Sequence, residues 1–559
     1  MLYGFLLWHL VMLGWVFPKV LNRFGCDGPI MKSSIIILLC SLCVADLSIA
    51  TETANPPARS VAVDFDRVAG PLDTSFKMCV GAGRANEGLR ADWQDQLRVA
   101  RRECGFKYLR MHGLLCDDMG VYQEDEHGNP VYNWQYIDRL YDFLLSIDVK
   151  PFVELSFMPK ALASGNHTVF WWNGNVTPPK SYGKWADLIR HLVAHFQDRY
   201  GHDVVKSWYF EVWNEPDLHD IFFTGDKQDY FKLYEVTAKT IKSVSSDYRV
   251  GGPATAMGGW DQSFIDFCRS NNVLLDFISS HSYGVRQGYV DTTGQRGTVI
   301  DPNPDSVIGR MVGERQMIDK SPMPDLPLHF TEWSSAYTPT DFMHDTYQQA
   351  SFILSKVKGA YQSVNSMSYW TFTDIFEENG PRMTPFHGGF GLINYEDLKK
   401  PAFYAYKFLN ELGPTELKDA DPASWVCKSP DSSVQALFWD YTPIVPPEGT
   451  NDQEFYRRDI PAQNLGVARL VITNLPAGSY SMQIYQTGYR ANDVFTSYLD
   501  LGAPSQLTSG QVGVLREASN GDPEVVETIQ VKQGQPFVRE FHLRQNDVYF
   551  VKLNPCPGR

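Results

Sequence analysis

The chain has no sustained run of lysine or arginine. Its 559 residues carry a net charge of −15, and that balance excludes nucleic acid as a partner, because phosphate binding needs clustered cations. It also has no Walker loop and no strand-borne Gly-x-Gly-x-x-Gly, which removes the usual nucleotide cofactors. Cysteine is scarce, with nine in all. The six that follow residue 50 (Cys79, Cys104, Cys116, Cys268, Cys427 and Cys556) show neither a C-x-x-C pair nor histidines at metal-ligand spacing. They read as core thiols with room for one bridge, and no metal or cofactor is expected. No internal repeat is evident, which excludes solenoids. Long apolar runs are missing too. Residues 2 to 17 and 35 to 45 are apolar, but each is shorter than the ~20 residues a spanning helix needs. The second run opens with Met31 and Lys32 and closes on Ser48 and Ala50. Residues 1–50 therefore read as a leader, with a secretory signal starting at Met31 and a secreted or periplasmic product.

Aromatic residues are abundant. They make up 13% of the chain, with 14 Trp and 28 Tyr, a supply that suits stacking on the apolar C–H faces of sugar rings as well as filling large cores. Between residues 78 and 412, short apolar runs alternate with longer amphipathic ones, as in strand–helix units that feed a parallel sheet. Eight runs qualify: 78–83, 107–113, 150–157, 207–215, 248–254, 276–284, 326–335 and 366–374. Helical periodicity marks 135–147, 184–200, 229–244 and 345–361 between them. Eight such pairs close an α/β fold, the (β/α)₈ TIM barrel, whose active site lies at the C-terminal strand ends. His112, Glu154, Asn214, Glu215, His281, Tyr283, Glu332 and Asp374 all fall in or near those ends. From 413 to 559, short alternating runs separated by turn residues predict a C-terminal β-sandwich, to which 51–77 adds a strand.

Glu215 and Glu332 follow the fourth and seventh runs, which face one another across a barrel. Two such carboxyls can flank one glycosidic bond, one protonating the leaving oxygen while the other attacks the anomeric carbon. Asn214 is placed to hydrogen-bond the sugar's 2-hydroxyl. Glu211 lies inside the strand and reads as a structural hydrogen-bonding group, and Glu154 as one that orients its neighbours. The rival reading makes Glu215 and Glu332 structural acids paired with a buried cation such as Arg110.

Seven blocks then carry a resemblance: "GFKYLRMHGLLCDDMGVY" (105–122), "FMPKALASG" (157–165), "FWWNGNVTPPKSYGKW" (170–185), "WYFEVWNEPDL" (208–218), "HFTEWSS" (329–335), "YWTFTDIFEE" (369–378) and "FHGGFGLIN" (386–394). In this order they resemble glycoside hydrolase family 39, within the retaining (β/α)₈ clan. The resemblance implies Glu215 as acid/base and Glu332 as nucleophile. It also implies His112, Asn214, His281, Tyr283, Trp370 and Glu378 as sugar-binding positions, Glu378 being preferred over adjacent Glu377. The family's activities are chiefly β-xylosidase and α-L-iduronidase. Iduronidases are expected to carry a lysine where this chain has Tyr283, so the expected glycone is the uncharged β-D-xylose of xylosides and xylo-oligosaccharides. An α-L-iduronidase, an arabinosidase or galactosidase, a non-catalytic carbohydrate-binding protein, and a homo-oligomer built through barrel or sandwich remain as alternatives.

Overall fold

The computed structural model describes residues 59–286, 288–290 and 296–556; the leader expectation at 1–50 lies outside them. The eight apolar runs become eight parallel strands, β1 (Cys79–Arg84), β2 (Tyr108–His112), β3 (Lys150–Glu154), β4 (Tyr209–Glu211), β5 (Arg249–Thr255), β6 (Phe277–Tyr283), β7 (Leu328–Ser334) and β8 (Ser366–Tyr369). They pair in sequence order, and β8 pairs β1 to close the barrel. Strands covered on both faces need apolar side chains on both, which is why the runs are nearly continuous rather than alternating. The intervening helices are bounded by ordinary chemistry. Ser181 caps the helix Tyr182–Tyr200 by accepting from the Lys184 N–H, Asp226 opens Lys227–Val244 with a capping box, and Gly105 ends Ala91–Cys104 in the left-handed region.

The barrel interior is layered. Its N-terminal floor is apolar, with Cys79, Phe152 and Phe277 packed beside Tyr108 and Tyr209, and Phe152 stacked on Tyr209 at 5.0 Å. Above the floor the interior turns polar. Glu154 and Glu211 sit side by side on β3 and β4, a like-charge juxtaposition that is unfavourable without a cation between them.

The C-terminal half forms two facing sheets. Arg59–Asp64, Asn464–Thr473 and Phe537–Arg544 make one sheet; the other has seven strands, with Val548–Pro555 between Val434–Trp439 and Gly478–Thr487. Val61, Leu470, Ile472, Phe438 and Phe541 lie in the core they enclose. The sandwich shares a continuous core with the barrel, since Phe408 on the helix Pro401–Asn410 stacks on Phe550 at 5.0 Å.

Alternation missed the helices of this half, the short Asp452–Phe455 and the longer Val494–Asp500 and Ser509–Ala518. The longer two carry legible starts. Asp493 accepts from the Thr496 N–H, and Thr508 with Gln511 forms a capping box. Val494, Phe495, Tyr498 and Leu515 pack against Phe386 and Leu398, so this insertion props the loop that follows β8. All six cysteines of the described residues are unbridged, five of them buried. No described helix is long and apolar enough to cross a membrane.

Candidate active site

The organising group at the C-terminal mouth is Arg110, which is fully buried. Its Nε donates to Glu211 Oε2 at 2.6 Å, Nη1 to Glu332 Oε1 at 2.6 Å, and Nη2 to Asn214 Oδ1 at 2.9 Å. The same Nη2 lies 2.8 Å from Glu154 Oε2. One guanidinium therefore bridges three carboxylates and an amide, which its planar fork of donors allows and a lysine's point charge would not. Arg110 was foreseen only as a rival partner for the acids. It shares the alternation phase of His112 in "YLRMH", and a charged residue on the interior phase of a barrel strand is the signal that marks it.

Glu332 accepts from Arg110 on Oε1 and from the Tyr283 hydroxyl on Oε2 at 2.6 Å. Both oxygens are engaged as acceptors, the arrangement that suits a carboxylate. Glu215 differs from it. Its side-chain partner is the His281 ring, 2.7 Å from Oε1 to Nδ1. Burial, followed by the charges of Glu332 and Asp217, pushes its carboxyl well above the usual carboxylate range. Oxygens of Glu215 and Glu332 lie within 4.8 Å of each other. Retaining glycosidases hold their carboxyls about 5 to 5.5 Å apart, and inverting ones about 6.5 to 9.5 Å.

Local backbone explains how Glu215 arrives there. The alternation in "WYFEVWNE" predicts a strand to residue 215, yet β4 ends at Glu211. Trp213 and Glu215 take φ of 74° and 43°, a left-handed corner that L-residues adopt only when the surroundings hold it. The Trp213 indole N–H donates to the Phe222 carbonyl, and the Glu215 N–H to that of Ala254. On the facing wall, an irregularity at Ser280/His281 shifts the β6–β7 register and sets His281 opposite Glu332.

The other expected positions gather around this pair. His112 Nδ1 is 2.8 Å from Glu154 Oε2, which turns Nε2 to within 3.5 Å of Glu332 and 3.7 Å of Glu378. Burial opposes ionisation of Glu154, but Arg110 and His112 outweigh it and lower its pKa. Asn214 gives its Oδ1 to Arg110 and so keeps its N–H pair to offer a hydroxyl. Trp370 lies 4.7 Å from the His112 ring, and a Cβ at Gly81 would overlap its indole. Of the adjacent acids, Glu377 pairs with Arg84 and Arg90, whereas Glu378 faces the His112 side of the site. Burial, then Glu332 and Glu87, raises the pKa of Glu378 well above normal.

Three of the strand-end groups are held by protein partners. His281 spends both ring nitrogens on protein, Nδ1 on Glu215 and Nε2 on Thr331 at 3.2 Å. Tyr283 commits its hydroxyl to Glu332. Asp374 turns away to buried Lys400, 3.1 Å from Nζ, and Lys400 also holds Asp345, fixing the loop after β8. Glu215, His281 and Glu332 also have the spacing of a metal site, but Arg110 already supplies the positive charge Glu332 needs, and glycoside cleavage by two carboxyls requires no ion.

The family model described as "Glycosyl hydrolases family 39" matches residues 59–534. The chain belongs to glycosyl hydrolase family 39. A family 39 enzyme from Xanthomonas axonopodis pv. citri is 40% identical in its solved structure, with a TM-score of 0.87 over 91% of this chain and all of that one. A monomeric β-xylosidase from Caulobacter crescentus CB15 is 38% identical, with a TM-score of 0.86 over 89% of this chain and all of that one. The β-xylosidase of Geobacillus stearothermophilus is 43% identical over 373 residues, which is 66% of this chain and 74% of that protein.

Proposed function

We propose that this family 39 glycoside hydrolase is a β-D-xylosidase that releases terminal xylose from xylosides or xylo-oligosaccharides with retention of configuration. The observation that carries the reading is the Glu215–Glu332 pair: oxygens within 4.8 Å, one carboxyl held as an acceptor on both oxygens, the other buried with a raised pKa. Such a division assigns acid and nucleophile by environment.

Glu332 attacks C1 and forms the glycosyl ester while Glu215 gives its proton to the departing oxygen. Esterification removes the charge of Glu332, one of the causes that keep the Glu215 proton bound, so Glu215 becomes acidic enough to serve next as base toward water. Asn214 holds the 2-hydroxyl, Trp370 lies against the sugar face, and Glu378, whose carboxyl lies 3.7 Å from His112 Nε2, takes up a hydroxyl from the glycone.

The xylose assignment draws on the similar β-xylosidases and on Tyr283. Where a sugar carboxylate would need a cation, this position carries a phenol whose hydroxyl is given to Glu332. Aryl β-D-xyloside and aryl α-L-iduronide offered to the same preparation test it, with turnover expected on the first alone. Export belongs to the same reading, with the signal running from Met31 to Ala50; the N-terminal mass of protein recovered outside the producing cell's cytoplasm tests it.

A further inference from the structure

The mechanism needs a proton on Glu215, and a line of hydrogen bonds runs from that carboxyl into the barrel. Glu215 Oε1 lies 2.7 Å from His281 Nδ1, His281 Nε2 3.2 Å from Thr331 Oγ1, and Thr331 Oγ1 2.8 Å from Glu211 Oε1. The second oxygen of Glu211 takes the Arg110 Nε–H. All four groups are buried.

Proton counting fixes the direction of each bond. Burial raises the Glu211 pKa above the ordinary carboxylate value, against the pull of Arg110, and with Oε2 on the Arg110 Nε–H its Oε1 accepts the single hydroxyl hydrogen of Thr331. Thr331 can then only accept from His281, which places the ring hydrogen on Nε2. Burial, with the nearby charges of Arg110, His112 and Arg310, holds the His281 pKa well below its usual value, so the ring is neutral and has one N–H. Nδ1 is therefore a bare lone pair, and the contact with Glu215 is made by a proton on the carboxyl.

We infer that Thr331 is a positioning residue for catalysis, setting the His281 tautomer so that Glu215 rests as a proton donor. The inference rests on the acid/base reading of Glu215 given above. In the first step, the Glu215 O–H leaves His281 Nδ1 and its proton passes to the glycosidic oxygen as the C1–O bond breaks and the Glu332–C1 bond forms. The resulting carboxylate faces the Nδ1 lone pair, which makes it a stronger base. In the second step it takes a proton from water as the water oxygen bonds to C1 and Glu332 departs. The other charges that bear on Glu215 are Glu332, Asp217, Arg110 and Glu378.

The test compares wild type with Thr331→Val and Thr331→Ser. Without the hydroxyl, His281 can move its hydrogen to Nδ1 and donate to a Glu215 carboxylate. The alkaline limb of kcat/KM for an aryl β-D-xyloside should then fall by about one pH unit, and Thr331→Ser should restore it. Ring-nitrogen shifts of ¹⁵N-histidine-labelled protein should show His281 protonated on Nε2 in wild type and on Nδ1 in Thr331→Val. An unchanged limb in a folded Val variant, or an Nδ1–H ring in wild type, overturns the inference. A wild type that does not cleave the xyloside defeats the functional reading instead, and the nitrogen shifts still decide the relay.

Discussion

Arg110 carries charge for Glu154, Glu211 and Glu332 at once, so its removal leaves three buried acids without their cation. Breaking one partner out of a buried ion network costs about 3 to 5 kcal/mol, and Arg110→Met should lose that much in denaturant unfolding. Tyr283→Phe is subtler. It deletes one hydrogen bond to Glu332 without disturbing the barrel, and loss of a single preorganised donor costs roughly 10² to 10³ in kcat, with KM little changed. Glu332→Ala should lower kcat by about 10⁴ or more, and added azide should then yield the α-xylosyl azide, whereas Glu215→Ala should yield the β-anomer. At this scale the sequence showed the acids, because carboxylates at strand ends are conspicuous. It hid Thr331 and the true work of His281, because a threonine inside a buried strand looks like β-propensity until its hydroxyl is seen between two polar groups.

Strands and loops were legible to different degrees. All eight barrel strands announce themselves as apolar runs, since burial on both faces demands it. The end of β4 does not, because the corner at Trp213 and Glu215 is imposed by Phe222 and Ala254 from elsewhere in the chain. The helices at 494–500 and 509–518 are short, and their purpose lies in tertiary contact with Phe386 and Leu398, which local pattern cannot display. Barrel and sandwich share apolar core across the Phe408–Phe550 stack. Phe408→Ala should therefore cost about 3 to 5 kcal/mol and lower the melting temperature of both parts together, read as one calorimetric transition. Of the two Asn-x-Thr sequences, Asn166 is exposed but Asn175 is buried with its amide on the Gly165 carbonyl; burial excludes the second from modification in the folded protein.

Across the whole molecule, buried titratable groups pull stability in opposite directions with pH. Burial lowers His329 and His344 to about 3 and His387 to about 4. These rings are neutral when folded and protonate when unfolded, so they add stability as pH rises through about 6.5. Glu87 opposes them. Burial raises its pKa from 4.5 to about 8, so the folded state binds a proton that the unfolded state releases. Its contribution is complete below 4.5 and is lost as pH climbs to about 8. Glu87→Gln should thus gain stability relative to wild type over that interval, measured as the difference in melting temperature; a difference independent of pH would contradict this. Double displacement by Glu332 and Glu215 on a β-xyloside is checked by proton NMR of the sugar first released from an aryl β-D-xyloside. The sugar should appear as β-xylose and then mutarotate slowly; α-xylose first, or no xylose, would rule the mechanism out.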